Sequence, residues 1–141
     1  MVTVTAFLLV ESAESVIFVL FTDTVVFGSC SILHRDGSGL VTLRGITNQC
    51  RARFKVTFGG NIAIPTGGTV EEISLALTID GEPLGSTLMI ETPAAVEQFS
   101  NVFSAVYIAV PRGCCLTVGV RNTSTQAIEV QNANLIVERV A

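Results

Sequence analysis

The stretch Ile73-Ser-Leu-Ala-Leu-Thr-Ile-Asp-Gly-Glu-Pro-Leu84 decides the fold. Ile73, Leu75, Leu77 and Ile79 alternate with Ser74, Ala76, Thr78 and Asp80, the period of two that sends successive side chains to opposite faces of a strand. The run ends in Asp80-Gly81-Glu82-Pro83, a turn in which Gly81 can take positive φ. Residues 84–91 are expected to return as the hairpin partner. Upstream, Ala52, Phe54, Val56 and Phe58 alternate with Arg51, Arg53, Lys55 and Thr57 in the same way. A short strand is expected over 61–64, between Gly59-Gly60 and Pro65-Thr66-Gly67-Gly68. Further strand signals cover 101–110, 116–122, 128–131 and 133–140, with turns at Pro111-Arg112-Gly113 and Asn122-Thr123-Ser124-Thr125. Residues 92–99 read as a loop. Many strands at short spacing, with Gly and Pro between them, predict an all-β sandwich or barrel in one domain spanning 1–141.

Two of these strands are apolar on both faces. Over 102–110, Val102, Ser104, Val106, Ile108 and Val110 form one face, and Phe103, Ala105, Tyr107 and Ala109 the other. Over 133–140, Leu135 and Val137 oppose Ile136 and Val140. A sandwich strand needs only one dry face, so the second fits packing against another copy of the chain. The alternative is that a loop or the N-terminal segment covers that face in cis. Composition agrees with self-association: 49% of residues are hydrophobic and 14% charged, against about 25% charged in an average domain. The mean hydropathy of +0.61 is high for a soluble monomer. Interface residues are expected at Val106, Tyr107, Ile108, Asn134 and Ile136.

The net charge of −4 offers nothing to a phosphate backbone, and no polybasic run addresses an anionic membrane. The apolar stretch 2–27 is interrupted by Glu11, Glu14 and Asp23, and the first basic residue is Arg35. No classical secretory signal and no transmembrane helix is therefore expected in this stretch. Residues 4–10 and 16–21 read as strands instead. An extracellular location would then follow cell lysis or incorporation into a particle such as a spore or virion. No internal repeat and no Gly-X-Y run is present.

Chemistry-bearing residues are few. Cys30, Cys50, Cys114 and Cys115 leave three readings open: a disulfide such as Cys30–Cys50 or one between subunits, free buried thiols, or a zinc site with His34. Paired Cys-x-x-Cys spacing is absent, which weighs against zinc. Alternation should send Cys114 and Cys115 to opposite faces of a strand. His34, the single histidine, lies in the turn-like His34-Arg35-Asp36-Gly37-Ser38-Gly39. A Ser-His-Asp triad is possible on paper, but an Asp two residues from the His is poorly placed to orient it. Scattered carboxylates and the lack of tryptophan speak against a glycosidase or a sugar platform. Arg51, Arg53 and Lys55 make a basic row suited to pairing or to edge protection. Gln131-Asn132-Ala133-Asn134 is either a plain turn or a set of amides that fixes register between subunits. No enzyme activity, metal or cofactor is expected.

Three segments, 45–64, 73–84 and Ala133-Asn-Leu-Ile-Val-Glu-Arg-Val-Ala141, resemble the C-terminal domain of BclA-type exosporium glycoproteins, the collagen-like filaments of bacterial spores. In that family an Asn-Gly or Asp-Gly hairpin precedes an apolar closing strand that ends Ile/Val-Glu-Lys/Arg-Val-Ala. The resemblance covers residues 40–141. It implies a jelly roll similar to tumour necrosis factor (TNF) and to complement-type globular heads, assembled as a tight homotrimer with its terminal strands near the threefold axis. Residues 1–39 depart from the family and replace the collagen stalk. The expected role is a non-enzymatic subunit of a spore-surface layer, filament or appendage, with residues 1–27 docking between subunits by strand addition. The alternative role is a trimeric phage or cell-surface head that binds a ligand through loops 92–100 and 122–126.

Overall fold

The computed structural model describes residues 2–10, 18–21, 23–26 and 30–141. Its strands are β1 (Val2–Val10), β2 (Asp23–Val26), β3 (Ile32–His34), β4 (Val41–Arg44), β5 (Arg51–Ala63), β6 (Ile73–Ile79), β7 (Glu82–Pro83), β8 (Met89–Glu91), β9 (Ser100–Pro111), β10 (Cys115–Asn122) and β11 (Ile128–Arg139). They form two antiparallel sheets, one ordered β2-β1-β11-β5-β9 and the other β3-β4-β10-β6-β7, with β8 also paired to β6. The pairing is nested. First meets last in β1 with β11, then β4 with β10, β5 with β9, and β6 with β7 and β8. An antiparallel ribbon rolled up in this way is a jelly roll, the form of sandwich that the resemblance implied.

The core fills the gap between the sheets. Phe54, Phe58, Ile62, Val110 and Leu135 project from one sheet, Leu43, Leu75, Leu77, Val118 and Val120 from the other, and all are fully buried. Burying each large apolar side chain is worth about 1.5–3 kcal/mol, which makes this interdigitation the main stabilising term. The Asp80-Gly81 turn has φ of 50° and 87° at its two central residues. Positive φ at both is the signature of the tight hairpin turn whose twist matches its strands.

Three local expectations are corrected. Gly59-Gly60 does not end a strand, because β5 runs straight through to Ala63. A Cβ on Gly60 would lie 3.2 Å from the Ala133 Cα, so the glycine permits close strand approach rather than a turn. Opposite it, 128–131 and 133–140 are one strand with a register shift between Gln131 and Asn134, where Asn132 takes φ of 55°. This is a β-bulge, not a turn. The returning limb 84–91 is split by a 3-10 turn at Gly85–Thr87, where the buried Thr87 Oγ1 accepts the Leu77 N–H at 3.0 Å. Beside these, β1 pairs antiparallel with β11.

Of the strand expected at 16–21, residues 16 and 17 lie outside the described residues. Phe18 bridges Arg121, and the Val19 N–H donates to the Val120 carbonyl at 2.8 Å. The segment thus takes the place beside β10 that β4 leaves empty. Val19 and Phe21 enter the core, where the Phe21 ring meets Phe58 edge-on at 6.5 Å.

Candidate self-association face

The outward face of the β2-β1-β11-β5-β9 sheet carries the site. Register fixes its rows across β9, β5 and β11. Phe103 stands across from Gly59, which stands across from Asn134; Ala105, Thr57 and Ile136 follow; then come Tyr107, Lys55 and Glu138. Gly59 gives Phe103 no side chain to lean on, and Phe103 is 65% exposed. Tyr107 is 67% exposed. Two aromatic side chains therefore flank a shallow floor of Ala105, Thr57, Gly59 and Ile136. Water-exposed aromatics beside small residues are the usual chemistry of an interface centre.

The ends of the face are polar and differ from each other. Beyond Phe103 an amide ladder crosses three strands: Asn101 Nδ2 donates to Asn61 Oδ1 at 3.2 Å, and Asn61 Nδ2 to Asn132 Oδ1 at 3.4 Å. Past it lie Glu129 and Glu97. Glu97 Oε1 accepts the N–H and the hydroxyl of Thr66 at 2.9 and 3.0 Å, and these bonds hold its carboxyl below the ordinary value. Burial first, and then the hydrogen bond and negative charge of Glu97, push Glu129 upward. At the opposite end, Arg51 and Arg53 border a depression of about 380 Å³ together with Gln49, Cys50 and Ala109.

The expected interface residues divide. Tyr107, Asn134 and Ile136 belong to this outward face. Val106 and Ile108 do not: Ile108 is buried in the core and Val106 packs against it. Adjacent residues of a strand cannot share a face, so an interface through Tyr107 excludes both neighbours. Phe103, Ala105 and Thr57 take their place. Phe103 and Ala105 were legible as the alternate positions of the Tyr107 face.

The remaining candidates are placed as follows. All four cysteines are free and exposed, which corrects the expectation of buried thiols. Cys114 lies in the turn and Cys115 opens β10, so strand alternation does not yet separate them. Among the described residues, no group of three or more His, Cys, Asp or Glu is arranged to hold a metal ion. His34 Nε2 bonds the Ser38 carbonyl at 3.0 Å, and Nδ1 bonds Thr24 Oγ1 at 2.6 Å. Asp36 accepts from the Thr24 N–H and hydroxyl instead of from His34, and the Ser38 hydroxyl turns to Leu40. Ser, His and Asp are thus close together without forming a triad; they tie β2 to the β3 region, joining the edges of the two sheets.

Strand order, nested pairing and an open apolar sheet face define an all-β jelly-roll domain of the TNF and C1q type. No family model matches the chain, and no curated protein does. Among solved structures it is similar to Eiger TNF from S. frugiperda, with TM-score 0.67 and 12% identity over 100% of this chain and 92% of that one. Murine APRIL gives TM-score 0.62 and 10% identity, covering 98% and 99% of the two chains. The globular domain of a zebrafish complement 1qA protein gives 0.61 and 11%, covering 96% and 94%. At these identities the likeness is one of fold. Among the described residues, no helix is long and apolar enough to cross a membrane.

Proposed function

We propose that the protein is a non-enzymatic structural subunit that assembles as a homotrimer through the outward face of the β2-β1-β11-β5-β9 sheet. The observation that carries this reading is the pair Phe103 and Tyr107, both mostly exposed on a face whose other central residues are small. Leaving two such rings in water forfeits roughly 1.5–3 kcal/mol each, which a neighbouring copy recovers. The amide ladder and the Arg51–Arg53 row at the two ends then set the register of the contact. The threefold stoichiometry is drawn from the resemblance of 73–84 and 133–141 to the exosporium heads, and the jelly-roll fold supports it. The same resemblance favours a spore-surface layer, filament or appendage as the structure the trimer builds.

Size-exclusion chromatography with light scattering tests the assembly. The wild type should elute at three times the chain mass of 14.9 kDa. A Phe103→Glu/Tyr107→Glu variant should elute at one chain mass with an unchanged circular dichroism spectrum. A monomeric wild type sinks the proposal. Negative-stain microscopy then asks whether trimers build sheets or filaments. Discrete particles that bind cells or glycans would favour a receptor-binding head instead.

A further inference from the structure

The four cysteines lie far apart in sequence and are brought to one end of the sandwich. Cys115 is the register partner of Arg44 on β4. On the other side of β4, the Arg44 N–H donates to the Ser31 carbonyl at 2.8 Å, and Arg44 Nη1 reaches the Cys30 carbonyl at 3.4 Å. The Gly45 N–H donates to the Cys114 carbonyl at 2.8 Å, and the Arg112 N–H to the Cys50 carbonyl at 2.9 Å. One small web of backbone bonds and the Arg44 guanidinium therefore ties all four residues to this end, and every cysteine is exposed and free.

Geometry discourages one closure within the chain, that of Cys30 with Cys115. Cys30 and Cys115 straddle β4, two strand spacings apart, or about 9.6 Å. A disulfide tolerates a Cα separation of at most about 7 Å. Cys114 and Cys115 are neighbours along the chain, and Cys50 lies at the other sheet, before Arg51 on β5. A free, exposed thiol can be oxidised to a disulfide with another thiol, and a second copy of the chain carries matching ones. Arg44, Arg51, Arg53, Arg112 and Arg139 sit around the same end, five of the chain's eight cationic residues.

We propose that this end is a covalent junction between copies of the chain, closed by intermolecular disulfides among Cys30, Cys50, Cys114 and Cys115. Each bond joins two thiol sulfurs and releases two protons and two electrons. Molecular oxygen accepts both and leaves as hydrogen peroxide. The junction is at the end of the sandwich, not on its sheet face, and does not rest on the proposed trimer contact.

Air-oxidised wild-type protein, alkylated with N-ethylmaleimide and run on non-reducing denaturing gels, should give a ladder at multiples of one chain, which dithiothreitol collapses. Peptide mapping should find one or two dominant inter-chain pairs. The Phe103→Glu/Tyr107→Glu variant should keep the ladder, and replacing all four cysteines by serine should remove it. A wild type that stays at one chain mass after oxidation overturns the proposal, whether its thiols remain free or close within the chain. So does a ladder made of every possible pairing, or one that disappears with the face variant.

Discussion

The two sheets turn outward surfaces of similar make-up towards opposite fates. On the β3-β4-β10-β6-β7 sheet, the outward Ser74, Ala76 and Thr78 are buried. The chain itself covers them: Ser124 bonds the Ser74 N–H and carbonyl at 2.8 and 3.1 Å, and Phe18 lies against Gly119. On the other sheet, Phe103 and Tyr107 stand open. Small outward residues thus mean two different things. Where a segment of the chain lies over them they form a floor for cis packing, and where none of the described residues does they leave the floor that the proposed contact would use.

Substitutions on the two sides should separate these meanings. Phe21 lies inside the covered half, fully buried against Phe58. Phe21→Ala should lower protomer stability by about 3–5 kcal/mol in urea denaturation. Phe103→Ala, measured in a monomeric Tyr107→Glu background, should change it by no more than about 0.5 kcal/mol. Equal losses at both sites would mean that the open face is also packed in cis. Glycines give a finer contrast. A Cβ on Gly119 would meet Phe18 Cδ1 and the Gly39 carbonyl oxygen, each at 2.8 Å. Gly119→Ala should therefore cost about 1–3 kcal/mol by overpacking. On the open sheet, a Cβ on Gly59 would find only Asn134 Oδ1, at 3.5 Å. Gly59→Ala should be neutral, or stabilise by a few tenths of a kcal/mol by stiffening the unfolded strand.

This contrast also explains what could be read from the sequence. Alternation over 51–58, 73–79 and 102–110 predicted strands and their faces, because side-chain direction has a period of two wherever pairing is regular. It could not say which outward face the chain covers itself, since that depends on where residues 18–21 and 122–125 travel. Gly59-Gly60 looked like a turn, and only the bulge at Gln131–Asn134 on the neighbouring strand, with Ala133 close behind, shows why glycine is needed at Gly60. Val106 and Ile108 were grouped with Tyr107 as apolar neighbours, although the same alternation already separates them. The cysteines' common end is a product of topology, since it brings together residues more than 80 positions apart (Cys30 and Cys115).

Thr78 offers a smaller test on the covered side. Its hydroxyl is buried with no hydrogen-bond partner among the described residues. An unpaired buried hydroxyl lowers stability, and valine has the same shape without it. Thr78→Val should raise stability by up to about 1 kcal/mol, read as a higher urea midpoint at unchanged slope. A loss instead would show that the hydroxyl has a partner in the folded protein.

The smallest expected effect belongs to the open face, where Glu97 and Glu129 interact. Glu129 lies above the ordinary value of 4.5 in the folded chain. An acid shifted upward stabilises while protonated, so its contribution is complete below 4.5 and is lost as pH rises through the raised value. Glu97 is shifted downward, and its contribution is lost only as pH falls below 4.5. The two therefore act in separate windows. Glu129→Gln should flatten the slight fall in stability from pH 4.5 towards neutrality and leave the acid limb, set by Glu97 and Thr66, in place. Both groups are near solvent, so the effect is small and shrinks in salt. If a partner copy covers this end of the face, desolvation deepens and the same fall steepens in the assembled protein compared with the Phe103→Glu/Tyr107→Glu monomer. Identical pH profiles for assembly and monomer would confine the contact to the aromatic centre and leave the carboxyl pair outside it.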